Sequence, residues 1–268
     1  MPNRNARGGN KTVDKIADGG KMHARLVSSG NGRSMSEVLT AAPVKPPRIR
    51  DAATMIIVRQ AAAGPTVLMG ERSSGHVFFP HHYVFPGGRV DRADSYVKPA
   101  SDLRQDVLER LTQACTERRA RALALAAVRE TYEEAGLIIG KPHPLPQRPP
   151  KGWEDFFATG NAPCLENLSF IYRAVTPPGR PRRFNARFFV IDAEHVQGEM
   201  DRADQGDGEL LKLKWFSFED ALGLKIRPIT AAAIKEIGAR IARGDLHDPN
   251  RPVPWVKSVG KQRVSGHH

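Results

Sequence analysis

The feature that most limits this chain is one helix-length run from about Arg119 to Ala135, stopped by Gly136 and flanked on both sides by strand-like segments. A glycine just past the last helical residue is a common stop because it accepts left-handed backbone that other residues avoid. Ahead of the run, Ala53 to Gln60 is rich in β-branched and apolar residues, Gly64-Pro65 marks a turn, and Thr66 to Glu71 continues as a partner, which predicts a hairpin. Tyr83 to Phe85 reads as a third extended piece running into Pro86-Gly87-Gly88, a tight turn whose glycines let backbone approach a ligand. Ser101 to Cys115 carries Leu103, Val107, Leu111 and Ala114 three and four apart, so a helix with one apolar face is expected there.

Downstream, the proline-laden Lys141 to Lys151 breaks regular structure, and Trp153 to Phe157 suits a short helical turn. Leu168 to Val175, with Leu168, Phe170, Tyr172 and Ala174 alternating onto one face, should pair with Arg187 to Asp192 as a long hairpin. Leu210 to Phe216 reads as a strand, Ser217 opens a short helix over Phe218 to Leu222, and Thr230 to Arg243 lines up Ala231, Ile234, Ile237 and Ile241 on one helical face. Strands before and after a central helix, with a closing helix, predict an α/β fold whose mixed sheet is covered on both faces.

At 268 residues and 40% hydrophobic content, one core with appendages is expected. The ordered domain is read as residues 51–245. Residues 1–50 hold ten Lys or Arg against three acids, over half of the net charge of +12, and few large apolar side chains, so they read as a flexible basic arm. Such an arm could make weak contact with nucleic acid. The closing residues 246–268 read as a loose tail.

Cys115 and Cys164 are too few for a disulfide framework and sit in no zinc-like pattern. No apolar run approaches the roughly 18 to 20 residues of a membrane span, and no secretory h-region is present at the start. The expectation is a soluble cytoplasmic protein with no membrane partner, and a homodimer is compatible with everything in the sequence.

The chemistry concentrates in Arg129-Glu130-Thr131-Tyr132-Glu133-Glu134-Ala135-Gly136. Glu130, Glu133 and Glu134 fall at i, i+3 and i+4, so they leave one helix face within about a turn of each other. Like charges so placed destabilise a bare helix by a few tenths of a kcal/mol per pair, a cost relieved by a hard cation among the oxygens. Arg129 stands beside them and can orient a carboxylate by a bidentate contact. A bare cluster of this kind is ordinarily a solvated acidic face, but here Phe85-Pro86-Gly87-Gly88-Arg89-Val90-Asp91 precedes it and Gly136 closes it.

With those two segments in place the chain resembles the Nudix hydrolase family, whose signature runs G-x5-E-x7-R-E-x-x-E-E-x-G and then an apolar residue. Gly88 opens it, Arg129-Glu130, Glu133-Glu134 and Gly136-Leu137 fill its second half, and Asp94 stands where the first glutamate is usual. Asp94 and Arg129 enclose 34 residues instead of seven, a surplus of 27 that implies a helical insertion at about residues 95–118. A long insertion here, with a stretch like Arg72-Ser73, His76, Phe78 and Pro80, is similar to the peroxisomal-type coenzyme A diphosphatase branch. The arginine and glycine usual before F-P-G-G in bacterial coenzyme A members are replaced by Val77 and His81.

The resemblance implies a Nudix-type α/β/α sandwich. It implies Mg²⁺ or Mn²⁺ on Glu130, Glu133, Glu134 and the Gly87 carbonyl, with Arg129 assisting. The reaction would be metal-assisted hydrolysis of a diphosphate in which a carboxylate takes the proton of the attacking water. Glu130 is one candidate for that base, and Glu209, Asp207 and Glu199 are others. Coenzyme A or acyl-coenzyme A is the favoured small-molecule substrate, and Arg72, Arg89 and Arg183, or equally Arg182 and Arg187, would meet its 3′-phosphate. Nucleotide sugars, dinucleoside polyphosphates or RNA 5′ ends are the alternative substrates, and a non-catalytic nucleotide-binding module is the alternative of another class. His76, His81 and His82 read as loop residues, since Nudix metals prefer oxygen. Trp215 and Trp255 read as core or docking residues.

Overall fold

A computed structural model describes residues 47–73, 80–199, 209–259 and 262–268. The basic arm up to residue 46, together with His76, Val77, Phe78 and Asp207, lies outside the described residues.

The described chain opens with β1 (Ile49–Ala61), four residues before the expected strand start at Ala53 and two before the expected domain start, then β2 (Gly64–Arg72), β3 (Tyr83–Val84) and β4 (Gly87–Arg89). Two helices come next, α1 (Gln105–Thr112) and α2 (Glu117–Ala135), then β5 (Gly140–Pro142), α3 (Glu154–Ala158) and β6 (Asn161–Pro163). The second half holds β7 (Ser169–Val175), β8 (Arg183–Asp192), β9 (Leu210–Ser217), α4 (Phe218–Gly223), α5 (Pro228–Arg243), β10 (Pro254–Val259) and β11 (Gln262–His267).

One mixed sheet carries the fold in the order β11-β10-β7-β8-β1-β2-β3, with β4 also on β1 and β9 also on β2. Its β1–β8 and β7–β10 pairs are parallel, and the other pairs are antiparallel. Central β1 sends Ala53, Met55 and Ile57 into a core under α1, α2 and α3, and Ile56 and Val58 into a second core under α5. Burial on both faces explains its unbroken apolar run. The result is the expected α/β sandwich with a mixed sheet. Among the described residues no helix is long and apolar enough to cross a membrane.

Four local readings change. The helix expected over Ser101 to Cys115 shortens to α1, because Ser101 instead makes a bridge with Cys164. Leu168 and Phe170 do not share a face with Tyr172 and Ala174. The β7–β8 register slips between Phe170 and Tyr172, and the extra residue, Ile171, turns the rest of the strand to the other core. Gly87-Gly88 is a short strand and not a turn. The residues after α5 are not loose: β10 and β11 form a hairpin that extends the sheet beside β7.

What positions the site is a shared edge of β1. Residues Val58 to Ala61 pair with β2, while Ala52 to Thr54 pair with β4. The hairpin therefore opens toward its base, and β4 enters there, under α2. Asp51 fastens the other end of that helix, accepting from Arg119 Nε at 2.8 Å while also holding Arg187 Nη1 at 2.7 Å and Asn185 Nδ2 at 3.1 Å. Burial alone would raise the Asp51 carboxyl, but Arg119 and Arg187 hold it below its usual range.

Candidate active site

α2 is built to lie close to the sheet. Ala122 to Val128 is fully buried, and its small alanines allow near approach. Thr116 caps the start by accepting from the Arg119 N–H, and Gly136 ends the helix at φ 67° in the left-handed region. The last turn thus arrives over β4 with its carboxylates in place.

The peptide groups of β4 receive them. Met55 N donates to Pro86 O and Val90 N to Asp51 O, so the antiparallel alternation leaves the peptide groups of Gly87 and Arg89 turned away from β1. α2 uses that edge: Gly87 N donates to Glu134 Oε2 at 2.8 Å, and Arg129 Nη2 donates to Arg89 O at 3.1 Å. The Gly87 carbonyl leaves the ladder on the same side as its N–H. Both glycines are required by close approach. A Cβ on Gly87 would meet the Ala53 carbonyl and lie 2.7 Å from Thr54 Cα, and a Cβ on Gly88 would collide with the Glu130 carboxylate.

Arg129, nearly buried, is the hub. It donates to Asp94 Oδ1 at 3.0 Å and to Glu133 Oε2 at 2.8 Å, and pairs with Glu130 Oε1 at 2.9 Å. Burial would pull its guanidinium down, but Asp94 and the charges of Glu130 and Glu133 hold it above its ordinary value. Asp94, fully buried, also accepts from Trp153 Nε1 at 3.0 Å and Asp91 N at 2.8 Å. The shorter acid therefore anchors the arginine from below, a role that its place in the sequence did not reveal. Trp153 likewise carried no signal beyond its helical turn.

The three glutamates are graded in exposure. Glu134 is buried, while the side chains of Glu130 and Glu133 are 15% and 37% exposed. Burial pushes the Glu130 carboxyl up to about 7, with Arg129 opposing and Glu133 adding to the rise. Glu134 is raised well above its usual range by burial first and by Glu130 next, against the pull of the Gly87 N–H and Arg72. Among the described residues no three His, Cys, Asp or Glu converge into a ready-made ion cage. Glu130 and Glu133 each direct an oxygen to Arg129, and Glu134 directs one to Gly87.

The remaining expected residues divide. Glu209, exposed at the mouth of β9, and Arg72, at the end of β2, both act electrostatically on Glu134. Glu199 is exposed in the loop after β8. Arg89, Arg182 and Arg183 line a cleft of about 730 Å³ that also reaches Glu130. Arg89 pairs with Asp91 at 2.9 Å, and Arg183 Nε donates to Thr176 O at 3.2 Å. Arg187 does not belong with them: it is buried and bound to Asp51. Arg48, Arg50 and Phe184 line the same cleft and had no motif to announce them. His81 binds Glu71 and His82 binds Pro80 O in an exposed loop. Trp215 packs under the Arg59 guanidinium at 4.1 Å, and Trp255 against His268 on the sheet extension.

No family model matches the chain. The provisionally assigned nudix hydrolase 7 of Caenorhabditis elegans is 26% identical over 162 residues, 53% of this chain, and the match takes in only 44% of that relative's length. A solved NUDIX hydrolase from Alicyclobacillus acidocaldarius superposes with a TM-score of 0.52 at 25% identity, covering 73% of this chain and 96% of that one. In fold and in sequence the chain is thus similar to the Nudix hydrolases.

Proposed function

We propose that the chain is a divalent-metal-dependent hydrolase that cleaves the diphosphate bond of a nucleoside diphosphate linked to another moiety, with coenzyme A or acyl-coenzyme A favoured. The observation that carries this reading is the meeting of Glu130 and Glu134 with the Gly87–Gly88 strand at one end of an arginine-lined cleft, with Glu133 tied to them through Arg129.

The donor set fits a hard cation. It is all oxygen, burial and then mutual repulsion drive the Glu130 and Glu134 carboxyls up, and the Gly87 carbonyl is left outside the sheet ladder. Glu130, Glu133, Glu134 and that carbonyl would hold Mg²⁺ or Mn²⁺. Bound there, the ion would polarise the diphosphate and acidify a water for attack on phosphorus.

The chain's own residues supply the rest. Arg129, locked by Asp94 and Arg89 O, holds Glu130 and Glu133 in fixed orientation, which limits reorganisation during reaction. Glu130 or Glu209 takes the proton of the attacking water. Arg72 supplies positive potential at Glu134, and Arg89 and Arg183 bind phosphate oxygens of the substrate from the cleft wall. A volume of about 730 Å³ suits a nucleotide-sized ligand. The free thiols of Cys115 and Cys164 fit a reducing cytoplasmic setting.

The test is turnover on coenzyme A, acyl-coenzyme A, NADH, ADP-ribose and capped RNA, with Mg²⁺ or Mn²⁺ and with chelator. Metal-dependent phosphate-ester products from the coenzyme A substrates, absent in Glu133→Gln, are expected. Turnover of capped RNA alone would move the substrate to the RNA-end class, and no metal-dependent turnover on any substrate would leave a nucleotide-binding module.

A further inference from the structure

The entry to β9 is held in an unusual backbone. Among the described residues, His81 (φ 59°) and Lys212 (φ 53°) are the non-glycine residues in the left-handed region, which side chains ordinarily avoid. They lie far apart in sequence, yet both reach one carboxylate: Glu71 Oε1 lies 3.2 Å from His81 Nδ1, and Lys212 Nζ donates to Glu71 Oε2 at 3.0 Å. An exposed ion pair contributes little by itself. Here each partner holds a bend. Lys212 belongs to the bulge in the β2–β9 register, where Lys212 and Leu213 stand opposite the single residue Gly70. The bulge lets Leu210 and Leu213, which strict alternation would send to opposite faces, both enter the core under α2. His81 bends the chain back onto β2: its N–H donates to Arg72 O at 3.0 Å, and Arg72 N donates to His82 O at 3.0 Å.

Between the two bends stand Arg72 and Glu209. Arg72 lies opposite Leu210, and Ser73 N donates to Glu209 O at 3.1 Å, so the end of β2 and the entry to β9 form one unit. Both side chains act electrostatically on the buried Glu134. We infer that Glu71 is a positioning residue for the hydrolytic site: by clamping His81 and Lys212 it fixes the two bends that set Arg72 and Glu209 against Glu134. The inference rests on the diphosphate-hydrolase reading and adds to it the device that places the groups facing α2 from β2 and β9. The potential at Glu134 and the acceptor for the proton of water matter once substrate is bound, so loss of the clamp falls on kcat more than on KM.

The full chain and its variants are compared on the diphosphate that the wild type turns over best. Glu71→Ala should lower kcat roughly tenfold to hundredfold while KM stays within about threefold. Adding Lys212→Gly, which takes left-handed backbone unaided, should recover part of that loss, whereas adding Lys212→Ala, which removes the same charge but not the strain, should recover none. If Glu71→Ala does not fold, Glu71→Gln, which keeps the shape and loses the charge, is read in the same way. Wild-type kcat in the Glu71 variant, or equal recovery by glycine and alanine, overturns the clamp. Amide hydrogen exchange separates the two readings, because the Ser73 and His81 N–H groups should exchange faster in Glu71→Ala. Faster exchange in a chain that turns over no diphosphate keeps the clamp and sinks the hydrolase; turnover with unchanged kcat and unchanged exchange does the reverse.

Discussion

Among the described residues, two places bring together side chains that enzymes use, and one of the two is open. At the end of α2, Glu130, Glu134 and Arg129 face the edge of β4, with Glu133 on Arg129, and Glu130 lines a cleft of about 730 Å³. Apart from it, Ser169 Oγ lies 2.9 Å from His247 Nδ1, and His247 Nε2 lies 2.9 Å from Asp192 Oδ2. By residue type the second is a serine–histidine–aspartate chain. Yet Ser169 is buried on β7 and takes a further bond from Arg104 Nη2 at 3.0 Å, and the adjoining cavity is about 10 Å³. That space holds one water at most. The chain of bonds is a fastener that ties the segment after α5 to β7 and β8. The lesson is that residue identity proposes chemistry, while access and leftover bonding capacity decide it.

The contrast between the two places can be broken in several ways. The largest effect should come from below the acidic site: Asp94→Ala takes the buried carboxylate from Arg129, which keeps Glu130 and Glu133, and leaves Trp153 Nε1 without its acceptor, and should cost about 2–3 kcal/mol of stability in chemical denaturation. A loss near zero would mean that Arg129 is not held as described. Glu133→Gln should leave the melting curve nearly unchanged and cut diphosphate turnover on the order of 10²–10³-fold. Ser169→Ala should do the opposite, costing about 1 kcal/mol while turnover stays at the wild-type level. A drop in turnover comparable to that of Glu133→Gln would make the two sites equivalents after all.

A subtler pair separates the two glycines. Gly87→Ala meets backbone on β1 and should destabilise the fold, whereas the three atoms nearest a Cβ on Gly88 all belong to the end of the Glu130 side chain. The second variant should stay within about 1 kcal/mol of wild type in stability yet lose most activity through displacement of Glu130. The smallest effect is a pH dependence at the fastener. The His247 bond holds the Asp192 carboxyl below its usual range. Because the folded value is the lower one, its stabilisation is complete above the ordinary carboxylate range and disappears as pH falls through the folded value. Thermal melts between pH 5 and 3 should therefore fall more steeply for wild type than for Asp192→Asn.

The acidic helix, its glycine stop, the β1–β2 hairpin and the α4–α5 pair were all legible, because each is written in short-range periodicity or in a terminal residue. Arg129 and the glutamates were legible for the same reason: three and four residues apart on a helix is a local geometry. The β7 bulge was not, since an unbroken apolar run gives no mark of the extra residue. Nor was the final hairpin, whose strands gain most from an edge, β7, that lies some eighty residues away in sequence.

Sequence alone determined which elements form and that three acids share a helix face, since neighbours along the chain set backbone geometry and side-chain direction. Only the tertiary structure decided what those acids face. The opening of β1 to admit β4, the pinning of Arg129 by Asp94 and Trp153, and the joining of Arg48 and Arg50 to Arg182 across two strands all depend on contacts between distant segments. Such contacts form only where a shared core brings them together, and no local pattern encodes them.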